Sequence, residues 1–396
     1  MNVLCWLFSG FDRHITSEHL LTAVIAALCD AGHAVHVIQK DTGGPLPSLP
    51  QSLAGYPVTT QVVPFKAADK GNLVARYLAD LKYIQSCKKH IDKDYDAVFI
   101  QSTTVGGFAV QAVRSRLKNA IVTFNVQDIF PYNAAFSGKI KRNSLAFKVL
   151  AGIQRYGYRQ SDHIITISED MKNTLVEDGT NASKIEVIYN WSYQDGLYDR
   201  DKLDFSAVAH MFCKDYFNVV YAGNIGVMQN VDLLIEAAKR MKGEQTVWFH
   251  IIGNGVYKDT LEAKTKEYGI KNISFWPMQP PELAPVIYSA ADVNVIPLEK
   301  EIYKTALPSK TATCLACQKP IIFAIGEESE FGHLAAVKTA CPVVDSDNPE
   351  ELVKAIRGIQ EKKIQCVTAE FYLKNSSLSK NSARYAKVIT EGDIHQ

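Results

Sequence analysis

Short apolar runs alternate along the chain with segments whose apolar residues recur every three or four positions. The runs predict strands buried on both faces, the recurrences predict amphipathic helices, and their alternation predicts βα units on parallel sheets. Strand signals fall at 3–8, 35–38, 58–63, 97–101, 121–125, 163–167 and 185–188. The segment 18–31 has helical periodicity and stops at Gly32, a residue suited to the left-handed position after a helix. After a polar stretch dotted with aromatics, the pattern restarts at 219–222, 248–252, 273–276, 293–297 and 321–324. The restart predicts a second α/β domain. The expected organisation is a first domain at 1–190, a linker at 191–217, a second domain at 218–367 and a helical tail at 368–396.

Length and composition support two cores, since 396 residues with 47% hydrophobic suit an ordinary globular protein of two domains. Lys plus Arg number 43 against 42 Asp plus Glu, so no global field favours nucleic acid, and anion binding must be local. The eight cysteines lack the clustering of a disulfide framework, which implies a reducing, cytoplasmic compartment. Cys314 and Cys317 form a CxxC with neither a second pair nor a nearby His, so no metal is expected there. The acidic run 92–96 precedes a strand and is expected as a solvated turn. Residues 1–9 lack a basic leader and predict a first strand, and no segment approaches the roughly 20 apolar residues of a membrane span. His33, His36, His163 and His250 lie in or beside strands and are expected to be packed. Neither half holds a full GxGxxG, which removes the best support for a nicotinamide-dependent oxidoreductase.

Several motifs occur in order: FNVQDIFP (124–131), SDHIITISEDMKNTLVEDG (161–179), KIEVIYNW (184–191), YAGNIGVMQNVDLLIEAA (221–238), IIGNG (251–255) and ALPSK (306–310). Over essentially the whole chain they resemble retaining glycosyltransferase family four, most closely the branch of bacterial O-antigen and capsule N-acetyl-L-fucosamine transferases. The resemblance implies a GT-B fold, two Rossmann-like domains facing across a cleft, and leaves open that the C-terminal helix crosses back. It makes the first domain the acceptor side and the second the nucleotide-sugar side, with no cofactor and no metal required.

In ALPSK, Pro308 stiffens a loop, Ser309 is a candidate N-cap and Lys310 sits in the first helical turn, where unpaired N–H groups suit a diphosphate. The resemblance assigns Ser309 and Lys310 to the donor pyrophosphate, with Lys304 as a further cation. Gly223, Asn224 and Gly226 form a small-residue turn between strand and helix that lets backbone approach phosphate. Many relatives carry Arg and Lys where this chain has Asn224 and Gln229. Gly253, Asn254 and Gly255 form a second turn at a strand end, and Met278 and Gln279 are assigned to the base. The Glu-x7-Glu signature of the family is replaced by Thr305 and Thr313. Gly10 is expected at a close approach to donor or acceptor, with an ordinary turn as the alternative.

At the end of the 121–125 strand, Gln127 and Asp128 stand where many relatives have His-Asp. A glutamine does not titrate, so Gln127 is limited to hydrogen bonding, whereas Asp128 is the candidate to orient the acceptor hydroxyl or the sugar's 6-position, to stabilise positive charge on the ring, or else to cap the next helical turn. On a helical wheel over 138–159, Lys141, Lys148, Arg155 and Arg159 flank an apolar stripe of Leu145, Val149, Ile153 and Tyr156. That pattern suits an anionic membrane surface, or else a packed helix with a solvated edge. The implied reaction moves a sugar from a UDP-sugar to a polyprenyl-diphosphate-linked glycan with retention, without nucleic acid. A noncatalytic nucleotide-sugar-binding partner and a nucleotide-sugar epimerase of the same fold stand as alternatives.

Overall fold

The computed structural model describes residues 1–13, 15–68, 72–91 and 94–391. Asp92 and Lys93 of the acidic run therefore lie outside the described residues, while Asp96 accepts a hydrogen bond from Asn2 N (2.7 Å). The chain forms two compact units, one comprising 1–190 with 378–396 and the other 191–377.

The first unit carries strands β1 (Asn2–Trp6), β2 (Ala34–Asp41), β3 (Val58–Pro64), β4 (Ala97–Ile100), β5 (Ile121–Val126), β6 (His163–Thr166) and β7 (Ile185–Val187). They make one seven-stranded sheet in the order β3-β2-β1-β4-β5-β6-β7, and every pairing is parallel. β1, β4 and β6 are buried nearly throughout, as a sheet covered on both faces requires, which is why they read as unbroken apolar runs. Helix Glu18–Asp30 ends where expected, with Gly32 at φ +84°.

The second unit carries β8 (Phe217–Ala222), β9 (Val247–Ile252), β10 (Ile273–Trp276), β11 (Val293–Pro297) and β12 (Ile321–Ala324) in the order β10-β9-β8-β11-β12, again all parallel. In each sheet the order reverses once, between β1 and β4 and between β8 and β11. Open α/β sheets bind ligands outside the carboxyl ends of the strands at such reversals.

Two expected boundaries change. The stretch 191–217 is part of the second unit and not a bare linker: Trp191, Ser192, Tyr198, Val208 and Met211 are buried, and Tyr198 N donates to Ala316 O. The tail also divides, since helix Ala369–Asn375 stays with the second unit while helix Leu378–Thr390 joins the first. That last helix hides Tyr385, Ala386, Val388 and Ile389, and packs on helix Glu18–Asp30 and on β4, β5 and β6. An amphipathic stripe of this kind is stable only against another apolar face, and the sheet of the first unit supplies it. His163 Nε2 donates to Glu391 O (2.9 Å), and His250 lies between Trp276 Nε1 and Asn218 Oδ1, so both rings are packed and bonded.

Candidate functional site

At the reversal point of the second unit, the chain leaves β8 through Gly223 and makes a tight loop to Asn230. Glu299 N, just past β11, donates to Met228 O (2.9 Å) and ties the two strand exits together. Asn230 fixes the end of the loop: at φ 47° it donates from Nδ2 to Ser346 O (2.7 Å).

Lys310, the first residue of helix Lys310–Ala316, sends its side chain under this loop. Its Nζ is buried, lies 3.6 Å from the centre of the Tyr221 ring and has no hydrogen-bond partner among the described residues. Gly223 makes room for it, because a Cβ at 223 would sit 2.9 Å from that nitrogen. The ring face offsets part of the cost of the buried ammonium, but a lysine with three unused donors is poorly compensated. Burial accordingly pushes Lys310 down to about 7. A buried cation without a hydrogen-bond partner among the described residues, at a strand reversal, suits an anionic ligand.

The neighbouring candidates take more modest positions. Asn224 Nδ2 and Gly226 N both donate to Gln229 Oε1 (3.1 Å each), so Asn224 and Gln229 clasp the loop as a neutral pair. Gly253 and Gly255, expected to clear space for a ligand, clear space for protein: added Cβ atoms would meet Gly223 O at 1.8 Å and Ile225 O at 2.1 Å. The two loops interlock further through Ile225 N to Asn254 O (2.9 Å). Met278 and Asn254 are exposed, and Gln279 bonds back to Pro277 O. Lys304 pairs with Glu301 (3.1 Å). Ser309 is exposed and its side chain makes no capping bond, which removes the expected N-cap. Thr305 and Thr313 are buried and bonded, to Ile302 O and to Ser192 Oγ.

In the first unit, Gln127 and Asp128 follow β5 directly. Asp128 is exposed, yet enough protein crowds its carboxyl that desolvation pushes it up to about 6, with the nearby Asn133 side chain pulling the other way. It does not cap the next helix, Tyr132–Phe136, which has no side-chain cap. Gln127 points inward: Oε1 accepts from Asn190 Nδ2 (2.8 Å), and Nε2 donates to Asn125 Oδ1 (3.1 Å) and Tyr385 OH (3.2 Å). Both ends of the Gln127 amide, expected in the catalytic set as a hydrogen-bonding group, are engaged by protein groups. Gly10 is buried against protein, since a Cβ there would lie 2.2 Å from Lys40 O. Its loop is anchored by the buried Asp12 carboxylate, which accepts from Thr42 N (2.9 Å) and Gly44 N (2.8 Å).

The basic segment is shorter than the helical wheel assumed. Its helix runs Leu145–Gln160, because Ser144 accepts from Phe147 N and caps it, leaving Lys141 in the preceding turn. Arg155 is spent on Asp178 (3.0 Å), which also accepts from Tyr132 OH. Lys141, Lys148 and Arg159 are exposed, and Leu145 and Val149 remain 77% and 53% exposed.

The family description Glycosyltransferase Family 4 matches residues 17–191, and Glycosyl transferases group 1 matches 216–362. Two glycosyltransferase models thus match successive parts of the chain, and the fold is the GT-B fold. Among relatives of the chain, WcaI of Escherichia coli, named as a putative colanic acid biosynthesis glycosyl transferase, is 27% identical over 61% of the chain and 61% of WcaI. WbjE of Pseudomonas aeruginosa, named as a glycosyltransferase, is 24% identical over 68% of the chain and 69% of its own. The fold is shared with Anabaena HepE, solved with UDP and glucose, at a TM-score of 0.64 and 15% identity over 99% of this chain and 96% of HepE. WaaG, a glycosyltransferase of lipopolysaccharide biosynthesis, superposes at 0.66 and 15% identity over 98% of this chain and 99% of WaaG.

Proposed function

We propose that this glycosyltransferase moves a sugar from a UDP-sugar to a hydroxyl of a polyprenyl-diphosphate-linked glycan, with retention, in capsule, O-antigen or exopolysaccharide synthesis at the cytoplasmic face of a membrane. The observation that carries the donor half is the buried, unpartnered Lys310 ammonium beside Gly223 at the strand reversal. The solved HepE complex with UDP and glucose supports the nucleotide class. The resemblance to N-acetyl-L-fucosamine transferases favours an N-acetylated amino sugar.

In this reading the bond from the anomeric carbon to the diphosphate oxygen breaks as the acceptor oxygen approaches on the same face. The acceptor proton passes to the departing diphosphate, so no side chain need act as base. Lys310 holds the departing negative charge, and Asp128 favours the positive charge that grows on the ring. No metal is required by these steps.

A thermal-shift panel of UDP, ADP, GDP and their sugars tests the donor assignment. UDP at about 100 times its Kd is expected to add about 2.7 kcal/mol of stability, with ADP and GDP well behind. Equal shifts for all three, or none for UDP, would overturn it. Sugar transfer to an acceptor, as opposed to donor interconversion, separates the proposal from an epimerase.

The membrane half rests on exposed Leu145 and Val149 beside Lys141, Lys148 and Arg159. No described helix is long and apolar enough to cross a membrane, so attachment would be peripheral. Each basic residue contributes about 1 kcal/mol near an anionic surface, so changing the three to Gln should weaken binding to phosphatidylglycerol vesicles about a hundredfold at low salt. Arg155 is left in place because of Asp178. Equal cosedimentation of the two proteins would remove the membrane claim and leave the transferase reading intact.

A further inference from the structure

The inward-facing Gln127 amide joins three distant parts of the first unit. Asn125 is the penultimate residue of β5, Asn190 is the last residue before the chain passes to the second unit, and Tyr385 lies on the helix that follows its return. Their bonds close on each other, since Tyr385 OH donates to Asn125 Oδ1 (3.3 Å) while accepting from Gln127 Nε2. The two crossing segments are also tied directly, through Asn381 Nδ2 to Tyr189 O (2.8 Å). On its backbone side, Gln127 N donates to Ser102 Oγ (3.1 Å) in the loop after β4. Residue 127 is thus held through both its side chain and its backbone N–H, and Asp128 is the next residue.

We infer that Tyr385 and Asn190 are positioning residues for sugar transfer, holding the Asp128 carboxylate in its working place through the Gln127 amide. This rests on the reading of Asp128 given above. Asn133 is the one side chain that lowers the Asp128 carboxyl, so the placement of Asp128 depends largely on the backbone that precedes it. That backbone is fixed by the amide network, whose members are buried or half-buried and whose donors and acceptors alternate. Such a network specifies one geometry, whereas apolar packing alone tolerates small shifts, and a shift of an ångström at a catalytic group is costly. The C-terminal helix is then part of the catalytic apparatus and more than a cover for the sheet.

The test is Tyr385→Phe, which keeps the ring contact with Phe99 and removes only the hydroxyl. UDP release is measured in the full chain with whichever UDP-sugar gives the largest thermal shift and wild-type turnover, together with amide exchange in the peptide spanning 126–134. Loss of one such hydrogen bond is worth about a two- to tenfold effect, so kcat should fall by about that factor with donor KM unchanged, and exchange in that peptide should accelerate. In an Asp128→Asn background the same change should cost little further, because its effect runs through that carboxylate. Asn190→Ala should behave alike. A folded Tyr385→Phe protein with unaltered kcat and unaltered exchange at 126–134 would overturn the inference, as would an undiminished effect in the Asp128→Asn background. Should Asp128→Asn itself leave turnover unchanged, the reading of Asp128 falls first. An exchange change at 126–134 alone would then show that the network is structural, which also overturns the inference.

Discussion

Replacing Lys310 with methionine is expected to weaken UDP binding about ten- to a hundredfold and, at the same time, to raise the melting temperature of the empty protein by a few degrees. The two effects share one cause. The fold buries an ammonium with no hydrogen-bond partner among the described residues, against a tyrosine ring and a glycine turn. Burying a charge without a partner destabilises, so an apolar side chain of similar length should relieve the fold. A diphosphate supplies the missing partner, and a charge-assisted contact of this kind is worth about 1.5 to 3 kcal/mol. The pH dependence follows in sign. Burial holds Lys310 down to about 7 in the empty protein, and a bound diphosphate raises it by favouring the charged form. Above pH 7, UDP binding therefore takes up a proton, and wild-type affinity should fall as pH rises from 7 toward 9, by at most about tenfold per unit. The methionine variant should lose that slope. Calorimetric titration of UDP in buffers of different ionisation enthalpy reads both affinity and proton uptake. An unchanged Kd in the folded variant would remove Lys310 from the donor site.

The strands were legible because a parallel strand covered on both faces needs side chains that are apolar at every position, and such runs stand out against the helical period. Lys310 was legible too, through the stiff ALPSK loop that places a cation at the start of a helix. Glycines were harder. Gly10, Gly253 and Gly255 are required by close approach, but the approaching atoms are protein carbonyls, and a sequence does not distinguish a carbonyl oxygen from a phosphate oxygen. Arg155 shows the same limit for charge: its place on the helical wheel gave a free basic edge, while Asp178 reaches it from another helix cap. The role of Gln127 was hidden by distance along the chain, since its partner Tyr385 is 258 residues away. The split of the tail between units was hidden for a similar reason, because an amphipathic stripe announces that it needs cover without saying which sheet provides it.

Asp128→Asn is the substitution from which the largest loss of turnover is expected, about a hundredfold in kcat with UDP affinity unchanged. Asparagine has nearly the same shape and keeps a carbonyl oxygen toward the Asn133 side chain, so the loop should stay in place. What disappears is the negative charge. A charge that meets substrate only as the ring becomes positive contributes to the transition state and little to the ground state, so its loss falls on kcat. Removing one preorganised electrostatic group of this kind costs about 2.7 to 4 kcal/mol, which sets the scale of a hundredfold or somewhat more. Asp128→Glu should recover part of the rate, since it restores charge at a displaced position. The alternative role, capping helix Tyr132–Phe136, predicts a different outcome, namely a lower melting temperature with turnover preserved in the folded fraction. The structure shows no side-chain cap on that helix. Steady-state turnover of the UDP-sugar, UDP affinity by calorimetry and thermal unfolding, measured on the same preparations, separate the two. Near-normal kcat in a folded Asp128→Asn protein would withdraw the carboxylate from the chemistry and leave the departing diphosphate and Lys310 to account for catalysis.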